Sequence, residues 1–429
     1  MRAEEQIVTH HLPAMATIAL GISLHIGLNM ALGAVAQGGW RARPETVAVA
    51  AQRQPGFNYD ESKVPPYTLP GVLGARRSDV RTPGAWRARR AGILGLFRDN
   101  VYGRSPGSPE HLLFAVTEDD PRAMNGAATL RRVSIKSRHG GREHEFELIL
   151  FVPNAPPAPV PVFLLINNRP ATNTDPTRRE KSGFWPAEQL IARGYGIAAL
   201  QYGQLAPDDG NRFRDGVMTL FASPSGDTPW TWGAIAAWGW GASRAMDYLV
   251  TDARVDREHV AIVGHSRGGK AALWAGAEDE RFAMVISNES GEGGAALSRR
   301  WFGETVERIN TSFPHWFTAA YKSFNGRESA LPIDQHMLLA LAAPRPLYVA
   351  SADEDLWSDP RGEFLALAES SPVYALWGEP PLRAEQMPAI DRPLIVGRRG
   401  YHVRTGPHNL TPYDWDRFAD FADRVWRKK

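Results

Sequence analysis

The 429-residue chain contains no cysteine. That excludes disulfides, thiolate metal sites and a cysteine nucleophile. It also lacks an excess of charge of either sign. Lysine and arginine number 49 and aspartate and glutamate 47, for a formal net charge of +2. The two signs are interleaved without long runs, so no electrostatic footprint for nucleic acid is present. No H-E-x-x-H occurs and the 12 histidines are scattered, which argues against a metal hydrolase. There is no internal repeat. Beyond the N-terminal segment, no stretch is long and apolar enough to cross a membrane.

The content that remains is ordinary for a globular protein. The chain is 43% hydrophobic and 22% charged, so a large core can form. Its length fits one large α/β domain or two smaller ones. Near the start, "LPAMATIALGISLHIGLNMALGAVAQGG" is apolar and ends in Ala34-Val35-Ala36. An A-x-A end suits cleavage before Gln37, so residues 1–36 are expected to be an export signal of a secreted or periplasmic bacterial protein. Arg2 is accompanied by Glu4 and Glu5, and a start at Met15 is an alternative. A single marginal membrane anchor is the competing reading. Residues 37–60 read as a flexible lead-in, and 61–429 as one catalytic domain.

Along that domain, "TPGAWRARRAGILGLFRDNVYG" has helical spacing, with Trp86, Ile93, Leu94 and Phe97 on one side. "REHEFELILFVP" alternates like a strand, and "VFLLINN" is a continuous apolar run, as in a strand covered on both faces. The rhythm then alternates. The strand patterns are "YGIAALQY", "HVAIV", "FAMVIS", "RPLYVAS" and "PLIVGRRGYHV". The helix patterns are "FWPAEQLIARG", "TWGAIAAWGWGASRAMDYLV", "GGKAALWAGA" and "TPYDWDRFADFADRVW". This predicts an α/β fold, a mostly parallel sheet wrapped by helices as a three-layer sandwich.

Chemistry enters at Gly264-His265-Ser266-Arg267-Gly268, between the strand pattern "HVAIV" and a helix pattern. G-x-S-x-G in that context is a nucleophile elbow of an α/β-hydrolase. The turn is so tight that residues two before and two after the serine must have almost no side chain. It lifts Ser266 to the carboxyl edge of the sheet and points the Arg267 N–H at the oxyanion of a tetrahedral intermediate. Chain order then demands an acid and a base. His408, in "RTGPHNLTP" just before the last helix, is the expected base; His336 reads as structural and His402 as a strand residue. Two acids compete: Glu289 in "NESGEGG" and Asp355 in "ADEDLWSDP", each just past a strand. Either can reach the same imidazole. Glu292, Asp353 and Glu354 are neighbours that read as solvated loop carboxylates.

These segments resemble a known family. "GHSRGGKAALWAGAEDERFAMVISNESGEGGAAL" is similar to the glucuronoyl esterases of carbohydrate esterase family 15. Their elbow, G-x-S-R-x-G-K, is matched by Gly264, Ser266, Arg267, Gly269 and Lys270. "ESGEGG" matches the acidic segment of fungal members, and the stretch around Asp355 resembles bacterial members. The resemblance runs from about "NYDESKVPPYTLP" to the C-terminus. It implies a serine esterase, without a cofactor, that cleaves the ester between 4-O-methylglucuronate of glucuronoxylan and lignin alcohols. It also implies that the Arg267 guanidinium stabilises the oxyanion and that Lys270 and Trp357 contact the sugar. Glu304 is a further candidate contact, the alternative being a helix-surface carboxylate. His265 departs from the family, where fungal members usually have cysteine. The competing expectations are another esterase of this fold, such as an acetyl-xylan esterase, and an inactive carbohydrate-binding relative. No nucleic acid or membrane partner is expected after signal cleavage, and a monomer is.

Overall fold

The computed structural model describes residues 40–74, 80–155, 159–222 and 231–426. The export signal expected over 1–36 lies outside the described residues. Gly39–Lys429 forms one compact unit.

Ten strands build one sheet. They are β1 (His111–Ala123), β2 (Ala128–His139), β3 (Arg142–Pro153), β4 (Val160–Asn167), β5 (Gly196–Gln201), β6 (Val255–His265), β7 (Met284–Asn288), β8 (Leu347–Ala352), β9 (Leu394–Val396) and β10 (Arg399–Arg404). Their spatial order is β1-β2-β3-β5-β4-β6-β7-β8-β10-β9. From β5 through β10 the neighbours are parallel, while β1, β2, β3 and the short β9 pair antiparallel.

The apolar runs become central strands because both faces are covered. In β4, Val162, Leu164 and Ile166 point into one core, and Phe163 and Leu165 into the other. β6 repeats the alternation with Val260 and Ile262 against Ala261 and Val263. That two-residue period is what a strand imposes. On the first face pack the helices Pro83–Phe97, Ala234–Leu249 and Arg267–Glu278; on the second pack Ala187–Ala192 and Pro412–Trp426. The result is a three-layer α/β-hydrolase sandwich. Trp415, Phe418 and Phe421 of the last helix are fully buried, each contributing roughly 1.5–3 kcal/mol of transfer free energy. Among the described residues, no helix is long and apolar enough to cross a membrane.

Three parts differ from the sequence-based expectation. The hairpin β1–β2 lies outside the strands read from the sequence: β1 starts with the apolar run Leu112-Leu113-Phe114-Ala115-Val116 and passes into the polar Thr117-Glu118-Asp119-Asp120, and as an edge strand it leaves most of its residues exposed, Leu113 and Val116 among them. "PLIVGRRGYHV" is not one strand but β9 and β10, folded back at Gly397. Residues 44–53, expected to be flexible, form a helix with Pro44 at its first position. Its N-terminal flank is tied down by Arg43, which pairs with Asp353 at 3.3 Å and Glu354 at 3.6 Å.

β6 delivers the elbow. Ser266 sits at φ 55°, ψ −125°, a strained conformation for a residue with a side chain. A Cβ on Gly264 would lie 2.0 Å from the Gly268 carbonyl oxygen, and one on Gly268 would lie 2.9 Å from that of Ile166. Both glycines are therefore required by backbone approach. Gly264→Ala is expected to cost at least about 3 kcal/mol or to prevent folding; urea denaturation of the purified variant measures it.

Candidate active site

Strands β6, β7, β8 and β10 lie side by side, and the segment after each carries one candidate residue. Ser266 follows β6, Glu289 follows β7, Asp355 follows β8 and His408 follows β10. In parallel sheets the carboxyl edge is where such loops converge. All four residues line one cavity of about 510 Å³, together with Arg267, Lys270, Glu304 and Trp357. The expected nucleophile, base, two acids, oxyanion arginine and three sugar-contact candidates are thus brought to the same place.

His408 Nδ1 meets two carboxylates. It lies 2.7 Å from Asp355 Oδ2 and 3.1 Å from Glu289 Oε2. Neither carboxylate engages Nε2, and His408 lines the cavity. Burial alone lowers the pKa of His408, but the charge and hydrogen bond of Asp355, reinforced by Glu289, carry it well above the ordinary imidazole value. Burial raises Glu289. Asp355 is also raised by burial, yet the His408 charge and hydrogen bond hold it below the usual carboxylate range. The ordering is physical. Asp355 makes the shorter contact with the imidazole, whereas Glu289 divides itself among Arg404 Nη2 at 2.8 Å, the Asn409 N–H at 3.0 Å and His408. Glu289 adopts φ 47°, in the left-handed region, directly after the end of β7. The three donor atoms of Glu289, Asp355 and His408 lie within 4.8 Å of one another, near enough for a cation. Arg404 already supplies a positive charge at that point.

Behind His408 stands His265. Their rings are 4.4 Å apart. His265 donates from Nδ1 to Asn288 Oδ1 at 2.6 Å and accepts at Nε2 from Arg169 Nη2 at 3.3 Å. Those partners fix its tautomer, and full burial pushes its pKa well below the ordinary value. It is a neutral shelf beneath the imidazole.

The far wall carries the sugar-contact candidates. Lys270 is buried, one turn past Ser266, and its Nζ donates to the Ser290 carbonyl. Burial lowers its pKa. Glu304 is not on a helix surface. It precedes the helix Val306–Ser312, its N–H donates to the Trp357 carbonyl at 3.0 Å, and its carboxylate is raised by burial and pulled back by Lys270. Trp357 is half-buried and packs edge-on to Phe57 at 4.9 Å, leaving it both a core and a cavity residue. Arg267 lies over Trp316 at 4.7 Å and Phe313 at 5.4 Å.

The minor candidates sort differently. Glu292 is not solvated: it is buried and accepts from Tyr321 OH at 2.6 Å, Ser298 Oγ at 2.8 Å and the Gly293 N–H at 2.9 Å. Asp353 is also buried, accepting from the Gly406 N–H at 2.7 Å. Glu354 is exposed, as read. His336 is structural, bonded to the Pro70 carbonyl at 3.0 Å, and His402 is a strand residue paired with Asp414 at 2.9 Å. Sequence reasoning missed Arg404, Asp208 and the cavity-lining residues Val49, Ala50 and Arg53. Each is a single residue without a local pattern, and only the fold brings it in.

A serine on an elbow, an imidazole and carboxylates in one cavity of an α/β-hydrolase sheet define a carboxylic ester hydrolase. Residues 135–378 match the family described as glucuronyl esterase, fungi. The carbohydrate esterase MZ0003 of an unknown prokaryotic organism is 41% identical over 416 residues, covering 90% of this chain and 94% of that protein. A glucuronoyl esterase from Solibacter usitatus superposes with a TM-score of 0.79 at 42% identity, covering 85% of this chain and 100% of that one. The 4-O-methyl-glucuronoyl methylesterase of Schizophyllum commune is 27% identical over 317 residues, 71% of this chain and 72% of that enzyme. The chain belongs to the glucuronoyl esterase family.

The electrostatics predict a pH dependence. A base must be neutral to accept a proton, so a raised His408 pKa moves the acid limb of kcat/KM above about 6.5, the free imidazole value. Asp355→Asn removes the largest raising influence and is expected to shift that limb to lower pH. Glu289→Gln shifts it less, because Arg404 already offsets that charge. The kcat/KM profiles of the two variants, measured from about pH 5, where a free imidazole begins to titrate, to well above it, are the check.

Proposed function

We propose that the protein hydrolyses esters of 4-O-methylglucuronate, releasing lignin-type alcohols from glucuronoxylan through an acyl-enzyme on Ser266. Ser266 Oγ attacks the C6 carbonyl while His408 Nε2 takes its proton. The Arg267 N–H and guanidinium balance the oxyanion. Collapse expels the alkoxide, which leaves as the alcohol with the proton from His408. Water then attacks the acyl-enzyme by the same route in reverse, leaving the uronic acid and free serine.

The observation that supports the uronate reading over a simple acetyl ester is the buried Lys270, in electrostatic contact with Glu304 and sharing with Trp357 the cavity that holds Ser266. A small acyl pocket has no use for a buried ammonium, whose desolvation is costly. A sugar ring does: Lys270 and Glu304 offer a donor and an acceptor for its hydroxyls, and Trp357 a face. The relatives named glucuronoyl esterases support the same choice. Export is part of this proposal, since a polymeric substrate is met outside the cytoplasm; a mature N-terminus at Gln37 in the secreted protein is the expected finding.

Two measurements test the function. Ser266→Ala is expected to abolish turnover of benzyl glucuronate with the circular dichroism spectrum unchanged. Lys270→Ala is expected to weaken turnover of benzyl glucuronate while sparing p-nitrophenyl acetate. Equal losses on both esters favour the general esterase reading.

The acid role is proposed to be shared, with Asp355 the stronger partner. Loss of a sole orienting acid costs on the order of 10⁴ in kcat in a serine triad. Each single change, Asp355→Ala or Glu289→Ala, is expected to cost clearly less than that, and the double variant to approach it. A full loss from one single variant and none from the other would name one acid and end the shared reading.

A further inference from the structure

We infer that Asp208 is a positioning residue of the reaction: it holds the Arg267 side chain beside Ser266, ready for the oxyanion. The inference rests on the reading of Ser266 as nucleophile, but not on which acyl group is transferred.

Asp208 follows the short helix Tyr202–Leu205, far in sequence from the elbow. Four donors converge on its carboxylate. Oδ1 accepts from His315 Nε2 at 2.8 Å and Trp316 Nε1 at 2.7 Å. Oδ2 accepts from Arg267 Nη1 and from Tyr202 OH at 3.3 Å. The same carboxylate therefore fixes both the guanidinium and the aromatic surface on which it rests. Trp316 and Phe313 stack at 3.8 Å, and the guanidinium lies over both. Arg267 thus has one end tied and one face covered. Asp208 engages only Nη1 of a guanidinium that carries five N–H donors, and Arg267 lines the same cavity as Ser266.

The energetic argument is preorganisation. A long arginine side chain loses much of its rotamer freedom when fixed. If that ordering took place during the reaction, it would add to the barrier. Donors already in place when charge develops stabilise a transition state without reorganising. His315, Trp316 and Arg267 also keep Asp208 ionised. Burial opposes them, yet its pKa falls to about 2, so the brace stays charged across the working pH range. The acid limb of activity, which follows His408, should not respond to Asp208.

The test uses the full-length enzyme and two substrates, benzyl glucuronate and p-nitrophenyl acetate. The variants are Asp208→Ala, Asp208→Asn, Arg267→Met and the double variant Asp208→Ala with Arg267→Met. Loss of an oxyanion donor costs about 10²–10³ in kcat. Asp208→Ala is expected to lower kcat by about tenfold or more on both substrates, with KM nearly unchanged and the acid limb unmoved. The double variant is expected to be no slower than Arg267→Met alone, because Asp208 acts through Arg267. If Asp208→Ala does not fold, Asp208→Asn keeps an acceptor for Trp316 and is paired with Arg267→Met in the same way. Multiplicative losses in the double variant, a change confined to KM, or a lowered melting temperature with kcat intact would each overturn the inference. If the wild type turned over the acetate but no glucuronate ester, the proposed substrate would fall, while Asp208 would still be read on p-nitrophenyl acetate.

Discussion

A single buried guanidinium holds this site together. Arg404, the last residue of β10, reaches Asp414 through Nε at 3.1 Å and Glu289 through Nη2 at 2.8 Å. It also donates to the carbonyls of Thr405, Pro407 and Asn409, at 3.0, 2.8 and 2.7 Å. Those three carbonyls belong to the loop that presents His408. One side chain therefore ties the end of β7, the imidazole loop and the start of the last helix. Planar arginine suits this task because its five donors are fixed in one fork. Without it, Glu289 would be a buried carboxylate lacking any permanent cation, a loss that costs about 3–5 kcal/mol where buried pairs are broken.

The presence of two acids around one imidazole follows from that arrangement. Two close anions repel each other, and the repulsion is tolerable only where cations share the space. Arg404 takes part of the charge of Glu289, leaving Asp355 as the carboxylate with His408 as its main partner. The Asp355 loop has its own anchor. Asp353 bonds to the Gly406 N–H and to Arg43, beside the helix Pro44–Arg53. A segment that reads as a lead-in thus stiffens the acid loop and supplies part of the cavity wall.

The legible parts of the sequence were those where chemistry is local. Gly264 and Gly268 are forced by backbone contact, and a five-residue motif carries that constraint openly. β4, β6 and β8 announce themselves as apolar runs because both faces are covered. β1 does so only in its first half: the run Leu112 to Val116 gives way to the polar stretch Thr117 to Asp120, and an edge strand with a wet surface sustains no pattern along its length. Glu292 was misread for a related reason. Its neighbours are glycines and polar residues, the composition of a wet loop, while the groups that bury and satisfy it, Tyr321 and Ser298, come from farther along the chain. Arg404 and Asp208 are invisible for the same cause: a lone charged residue takes its meaning from partners that only the fold assembles.

The balance of charge in the cavity bears on how the proposed reaction ends as well as how it begins. A uronate ester is neutral at its reacting carbon. Its product is an acid, ionised at neutral pH. In the proposed ester complex, Lys270, Glu304 and Trp357 would meet hydroxyls and a ring face, contacts that need no net charge. When the bond breaks, a carboxylate appears beside Ser266, in the same cavity as Glu289, Asp355 and Glu304. Arg267 does not offer that anion an unopposed cation, because Asp208 already holds its guanidinium. Nor is Lys270 a bare charge, since burial weakens its proton affinity and Glu304 faces it. The same pairings that fix donors for a transient oxyanion therefore prevent the cavity from becoming a trap for the stable anion that follows. An interaction stronger in the transition state than in either bound ground state is what speeds turnover, and paired rather than isolated cations meet that condition here.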